Sequence, residues 1–237
     1  MDVIRHEIVG DRVIHGEGTR LEEWRSCQIL QQMPEFDIPK VIPQDARVCI
    51  IAPHPDDEIL GCGGLIQHLD KLGYQIVLFA VTNGTASHPG SSLYTPEELN
   101  QIRPAETRAA LEALPLKQNI LWIALNIEDG KVAEQRNVLQ QHLQSYLQPN
   151  DVLISTFVHD GHPDHEITGQ VTQQLATELH LPCIQVLIWA WHWATPGDTR
   201  IPWTVAHQLK LTEEELQYKS RAARCFKSQI ELDPTID

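Results

Sequence analysis

The residues of this chain most able to do chemistry fall in two short runs. The first is Pro53-His54-Pro55-Asp56-Asp57-Glu58, and the second is His159-Asp160-Gly161-His162-Pro163-Asp164-His165. Three histidines and two aspartates within seven residues are rare in an ordinary loop. An imidazole is neutral near pH 7 and ligates zinc, while a neighbouring carboxylate can serve as a further ligand or as a base. A hydrolytic zinc site needs three protein ligands and one open position for water. Two ligands from the first run and one from the second would complete such a set. A leftover carboxylate is then available as base and a leftover histidine as electrophile or acid. The spacing is not H-E-x-x-H, so the helical metalloprotease layout is not present. A structural alternative exists for the first run: Asp56 and Asp57 could simply cap a helix, whose N-terminus favours negative charge. One aspartate suffices for that, and the second is superfluous.

Both runs must be positioned by regular elements, and the pattern around them supplies these. Arg47 to Ala52 (RVCIIA) is a short, nearly continuous apolar run, expected for a strand buried on both faces. Gln75–Val81, Asn119–Leu125, Val152–Phe157 and Ile184–Trp191 read as four more strands. Between them the apolar period becomes helical. Ile59, Cys62, Leu65, Ile66, Leu69 and Leu72 mark a helix over Glu58–Leu72, stopped by Gly73. Thr95-Pro96-Glu97-Glu98 is a capping box with proline at the first helical position, and Pro104 should break or kink the helix it opens. Val138, Leu139, Leu143, Tyr146 and Leu147 share one helical face, as do Ile167, Val171, Leu175 and Leu179. Thr212-Glu213-Glu214-Glu215 opens a last helix.

Strands alternating with helices imply right-handed crossovers. The expected fold is α/β, a Rossmann-like, mainly parallel sheet with helices on both faces in a single domain. Residues 1–45 read as an N-terminal extension packed on a domain spanning 46–237. Ligands of such sheets bind beyond the carboxyl ends of the strands, and each histidine–aspartate run directly follows one.

Composition narrows the partners. The chain of 237 residues carries a formal charge of −14, from 32 acidic and 18 basic residues, which disfavours nucleic acid and anionic membranes. No apolar run is long enough to cross a bilayer, and the start MDVIRHEIVG lacks the apolar stretch of a secretory signal, so a cytoplasmic location is expected. Five cysteines without C-x-x-C spacing indicate neither a disulfide scaffold nor a thiolate zinc site. Whether the chain forms a homo-oligomer is not readable from it.

The pair PHPDDE and HPDH, over Arg47 to Ile230, resembles the LmbE-like, or PIG-L, family of zinc-dependent de-N-acetylases acting on N-acetylglucosaminyl conjugates. The resemblance implies zinc (Zn2+) held by His54, Asp57 and His165, with Asp56 as general base. It further implies that His162 stabilises the oxyanion or protonates the leaving nitrogen, with Asp164 orienting its ring. Arg103-x-x-Glu106-x-x-x-Ala110 is similar to a family helix whose arginine tends to lie near the sugar; the alternative is a surface ion pair. Glu128-Asp129-Gly130 resembles the family's acidic turn, or is only a turn. Lys219-x-x-Ala222 with Ser228-Gln229 is similar to a C-terminal pattern in which histidine is common where this chain has Phe226. The implied activity is removal of an N-acetyl group from a small-molecule amino-sugar conjugate. The alternatives are cleavage of another amide of such a conjugate, or metal-bearing carbohydrate binding without turnover. Trp189-Ala190-Trp191-His192-Trp193 is either a sugar platform or core, and His192 is a further substrate-binding candidate.

Overall fold

The computed structural model describes residues 11–236. Eleven helices and five strands follow one another in it. Helices α1 (Leu21–Arg25), α2 (Gln28–Gln32) and α3 (Ile38–Val41) precede β1 (Arg47–Ala52). Next come α4 (Asp57–Leu60), α5 (Gly63–Leu72), β2 (Gln75–Ala80), α6 (Pro96–Glu112), β3 (Leu121–Ala124) and α7 (Arg136–Tyr146). The remaining elements are β4 (Asp151–Thr156), α8 (Pro163–Leu179), β5 (Cys183–Val186), α9 (Ala190–Trp193), α10 (Glu213–Ala223) and α11 (Lys227–Ile230). The strands form one wholly parallel sheet in the order β3-β2-β1-β4-β5. Among the described residues no helix is long and apolar enough to cross a membrane.

Strand periodicity of two divides the core between the faces of the sheet. Val48, Ile50, Ile76, Leu78, Val152 and Ile154 pack on one side with α4, α5, α6 and α10. Cys49, Ile51, Val77, Phe79 and Leu153 pack on the other with α7 and α8. This is why these strands read as continuous apolar runs: a strand covered on both faces has no polar side to alternate with. Ile38, Ile42 and Ala46 join the first cluster, and Trp24 joins a smaller one with Phe157, Ala190, Ala194 and Ile201.

Three expectations are corrected. The helix over Glu58–Leu72 is two helices, because Cys62 leaves the helical region (φ −122°, ψ −1°). The Leu60 carbonyl at the break accepts a hydrogen bond from Lys219 Nζ at 2.9 Å, so a tertiary contact satisfies it. Of the two outcomes expected at Pro104, the break does not occur, and α6 runs through it. Its ring lies buried on the packed face beside Leu99, Arg103, Thr107 and Ala110, and that burial offsets a cost of about 3 kcal/mol for an interior proline. The fifth strand stops at Val186, and the tryptophan segment turns into α9. There the Asp160 carboxylate accepts the backbone N–H groups of Ile188, Trp189 and Ala190 at 3.0–3.1 Å, which pulls the chain out of the sheet.

The site follows from the strand order. From β1 the chain crosses to β2 on one side, and β4 lies on the other side of β1. The connections therefore diverge between β1 and β4, leaving a crevice at their carboxyl ends. One histidine–aspartate run leaves each of these two strands, so the sheet delivers both to the same crevice.

Candidate metal centre and catalytic cleft

His54 comes from the turn between β1 and α4, Asp57 from the first position of α4, and His165 from the first turn of α8. His54 Nδ1 lies 3.1 Å from His165 Nε2 and 3.4 Å from Asp57 Oδ2. His165 Nε2 is 3.2 Å from the same oxygen. Ligands held at about 2.0–2.1 Å in a tetrahedron stand roughly 3.3–3.4 Å apart. The triangle thus has the size of one face of a tetrahedral site.

The outer contacts point the lone pairs inward. His165 Nδ1 is 2.8 Å from Asp160 Oδ2, a fully buried carboxylate, so that nitrogen carries the proton and Nε2 faces the centre as an acceptor. On His54 the outer nitrogen is Nε2, which faces Asp129 Oδ1 at 3.1 Å and Asp164 Oδ2 at 3.3 Å. Its Nδ1 is then likewise free of hydrogen. Three acceptor atoms this close repel unless a positive charge sits among them, and this donor set fits a divalent cation. A looser set of His54, His162 and His165 also offers ring nitrogens within 4.8 Å of one another.

The electrostatics agree. Burial opposes a charge on His165, yet Asp57 and Asp160 carry its pKa up to about 9. His54 is likewise raised well above the ordinary histidine value, because Asp129, Asp164 and Asp57 outweigh burial. Burial works against ionisation of Asp57 too, but His165 and His54 hold it far below the usual carboxylate range. The surroundings therefore favour positive charge at the centre. His162 differs. Burial, together with positive charge at the centre beside it, drives its pKa down to about 2, so its ring is neutral. Its Nδ1 accepts the Asp164 backbone N–H at 3.2 Å, which leaves the proton on Nε2.

Asp56 is not a capping residue. It occupies the N-cap position of α4 with no side-chain hydrogen bond to the helix. Its φ of 120° is a strained conformation for an L residue, of the kind found where function holds a side chain in place. The carboxylate instead meets Arg103 Nη2 at 3.2 Å. Burial and the adjacent Asp57 push the Asp56 carboxyl up to about 7, against the opposing charges of Arg103, His54 and His165.

His54, Asp56, Asp57, Arg103, His162 and His165 all line one cleft. Two sequence-derived roles, and the surface alternative for Arg103, need correction. Asp164 does not orient the His162 ring through its side chain. Its carboxylate accepts the N–H groups of Gly130 and Val132 at 2.8 and 3.2 Å and supports His54. Arg103 is no surface ion pair, being 3% exposed; it lines the cleft with its Nη groups directed to protein, while its Nε is buried without a partner among the described residues. Nη1 donates to Gly84 O at 3.0 Å and Nη2 to Pro55 O at 2.7 Å, so it braces the turn that carries Asp56. His192 does not line the cleft. It lies beneath Gly18, whose N-terminal segment accompanies it: Thr19 N donates to His192 O at 2.9 Å.

Three residues near the centre had been given no firm role. Asp160 aligns His165, Asp129 supports His54, and Trp189 lines the cleft with its ring stacked on His162. The tryptophan segment divides accordingly. Trp191 packs edge-on against Trp24, and Trp193 donates to Asp160 O at 2.7 Å, so these two are structural. Glu106 accepts from the backbone and hydroxyl of Ser228 at 2.8 and 2.6 Å, which joins two of the motifs noted in the sequence.

The family model described as PIG-L: GlcNAc-PI de-N-acetylase matches residues 49–176, more than half of the chain. The chain belongs to the PIG-L family. A diacetylchitobiose deacetylase of Thermococcus kodakarensis is 28% identical over 139 residues, 57% of this chain and 51% of that protein. A probable N-acetyl-alpha-D-glucosaminyl L-malate deacetylase of Bacillus cereus is 26% identical over 141 residues, 57% of this chain and 63% of its own length. The chain thus spans about half the length of the first relative and under two thirds of the second. In fold it is similar to the N,N'-diacetylchitobiose deacetylase of Pyrococcus horikoshii, with a TM-score of 0.58 at 21% identity over 92% of this chain and 83% of that one. The family stretch contains both histidine–aspartate runs and Arg103.

Arg103→Leu is expected to lower kcat by about 10²-fold, the scale of a misplacement near 1 Å, because Pro55, Gly84 and Asp56 all lose their brace. Metal content should stay at the parent level, since Arg103 touches none of the three ligand atoms. Steady-state kinetics with elemental analysis check this; an unchanged kcat would show that Asp56 holds its position without the arginine.

Proposed function

We propose that the protein is a zinc-dependent de-N-acetylase acting on an amino-sugar conjugate of the N-acetylglucosamine type. The observation that carries this reading is the inward-facing triangle of His54 Nδ1, Asp57 Oδ2 and His165 Nε2, with edges of 3.1–3.4 Å, beside a carboxylate that neither caps nor ligates. Family membership and the names of the two relatives support the substrate class.

His54, Asp57 and His165 would hold the zinc. When bound, zinc supplies Lewis acidity toward an amide carbonyl and lowers the pKa of water. Asp56, held toward the cleft by Arg103, accepts the proton of the attacking water. His162, neutral with hydrogen on Nε2, donates a hydrogen bond to the amide oxygen as negative charge develops there. The proton taken by Asp56 is then available for the leaving nitrogen, which departs as the free amine of the sugar. Acetate is the other product. Asp160, Asp129 and Asp164 act through the histidines: they fix which nitrogen carries hydrogen and so which one faces the centre.

The test is acetate release from N-acetylglucosamine conjugates by zinc-loaded protein. Chelation should abolish release and stoichiometric zinc should restore it. Activity that survives complete removal of divalent metal would sink the proposal, as would turnover of acetylated peptides without turnover of any amino-sugar conjugate.

A further inference from the structure

The cleft over the metal centre has a volume of about 620 Å³, ample for more than one sugar ring. Its floor is the family machinery, but most of its rim lies outside residues 49–176. Ile14 and His15 form one wall, Ile188 and Trp189 a second, and Phe226 and Ile230 a third. The first wall belongs to the segment Arg12–Thr19, which lies well before β1 in sequence and is fastened across the crevice at both ends. Arg12 Nη2 pairs with Glu166 Oε1 at 2.9 Å, beside the ligand His165. Thr19 Oγ1 donates to Ala194 O at 2.6 Å, and Thr19 N donates to His192 O. Between these anchors Gly18 lies against the His192 ring so closely that a Cβ would stand 2.7 Å from His192 Cγ. Ile14 in turn packs over Gly161, whose missing side chain makes room for it.

The chemistry of the rim is selective. Among the described residues, Arg103 is the one lysine or arginine that lines the cleft; it is 3% exposed, its two Nη groups are committed to Pro55, Gly84 and Asp56, and its Nε is buried away from solvent. Asp56, Asp57 and Asp129 face the same space. A carboxylate or phosphate carried by the substrate would meet acidic groups and aliphatic walls with no strong cation to receive it, a costly arrangement. An uncharged ring loses nothing comparable. Its hydroxyls can reach His15 and Gln229, and its apolar face can lie on Ile14, Trp189 or Ile230.

We propose that the segment Arg12–Thr19 builds the wall of an aglycone subsite, and that this subsite takes an uncharged glycosyl group rather than an anionic one. The inference rests on the de-N-acetylase reading and adds to it the class of group attached to the amino sugar.

The experiment compares zinc-loaded protein on three substrates: N,N'-diacetylchitobiose, N-acetylglucosaminyl malate and free N-acetylglucosamine. The neutral disaccharide should exceed the malate conjugate in kcat/KM by about tenfold or more, the least that an unpaired or mismatched group usually costs. Gly18→Ala should displace the segment and raise KM for the disaccharide by about tenfold, leaving kcat and the KM for free N-acetylglucosamine within about twofold. Adding His192→Ala should restore the disaccharide KM, because removing the imidazole makes room for the new methyl group. Loss of a merely structural contact would not be rescued in this way. Should Gly18→Ala not fold, Ile14→Asp replaces it and should weaken the disaccharide selectively. No acetate from any of the three substrates would overturn the de-N-acetylase reading and this inference together. Acetate from the malate conjugate at an equal or higher kcat/KM would overturn the inference alone. So would a disaccharide KM indifferent to both wall variants.

Discussion

Asp56→Asn is expected to retain its zinc while kcat falls by about 10²- to 10⁴-fold, the usual contribution of a positioned general base. The amide matches the carboxylate in shape and keeps one oxygen for Arg103 Nη2, so the turn and the ligand triangle stay in place. What it cannot do is accept a proton. The three proposed ligand atoms belong to other residues, so metal content is the control that separates lost chemistry from lost structure. Asp57→Asn provides the contrast. Asp57 Oδ2 stands within 3.4 Å of both ligand nitrogens, so this variant should lose metal first and recover activity only in excess zinc. If the aspartates merely capped α4, either change would cost about 1 kcal/mol of stability and leave turnover alone. Parent-level kcat in zinc-replete Asp56→Asn would remove the catalytic assignment.

Asp160→Ala should be the most destabilising single change near the site, although Asp160 would act on the proposed metal only through His165. Its carboxylate is fully buried and accepts three backbone N–H groups at the start of α9, while Oδ2 also fixes the His165 tautomer. Truncation leaves all of these donors unpaired in the interior. Removing one partner of a buried charged network costs about 3–5 kcal/mol. For a chain of this size that corresponds to a fall in Tm of roughly 6–20 °C. Zinc affinity should also drop by about 10- to 100-fold, the usual effect of losing a partner behind a ligating histidine. Asp160→Asn separates the two roles. Its remaining oxygen can serve part of the α9 amides and recover stability, but its NH₂ group presents hydrogen to the partner nitrogen of His165, so metal affinity should stay low. Thermal melting and competitive zinc titration on both variants read the two effects independently. Parent-like affinity in Asp160→Ala would mean that His165 is oriented by packing alone.

The sequence by itself determined the five strands, the burial of the three central ones on both faces and the two chemical runs at strand ends. These depend on local pattern: an apolar run flanked by turns, an imidazole beside a proline, paired aspartates before a helix. What the surrounding side chains do was decided by the tertiary structure. Arg103 meets Asp56 from 47 residues away, and Asp160 meets Ile188 from 28. Asp129 reaches His54 only because the β3 and β4 connections converge on the end of β1 in the order β3-β2-β1-β4-β5. No local periodicity carries that order. The same reason explains the misread tryptophan segment, whose apolar run would continue β5 but for a buried carboxylate that captures its amides. It also explains the wall formed by Ile14 and His15, residues with no motif of their own. Their place in the cleft is set by the Arg12–Glu166 pair and the contact of Gly18 with His192, each joining parts of the chain that only the folded sheet brings together.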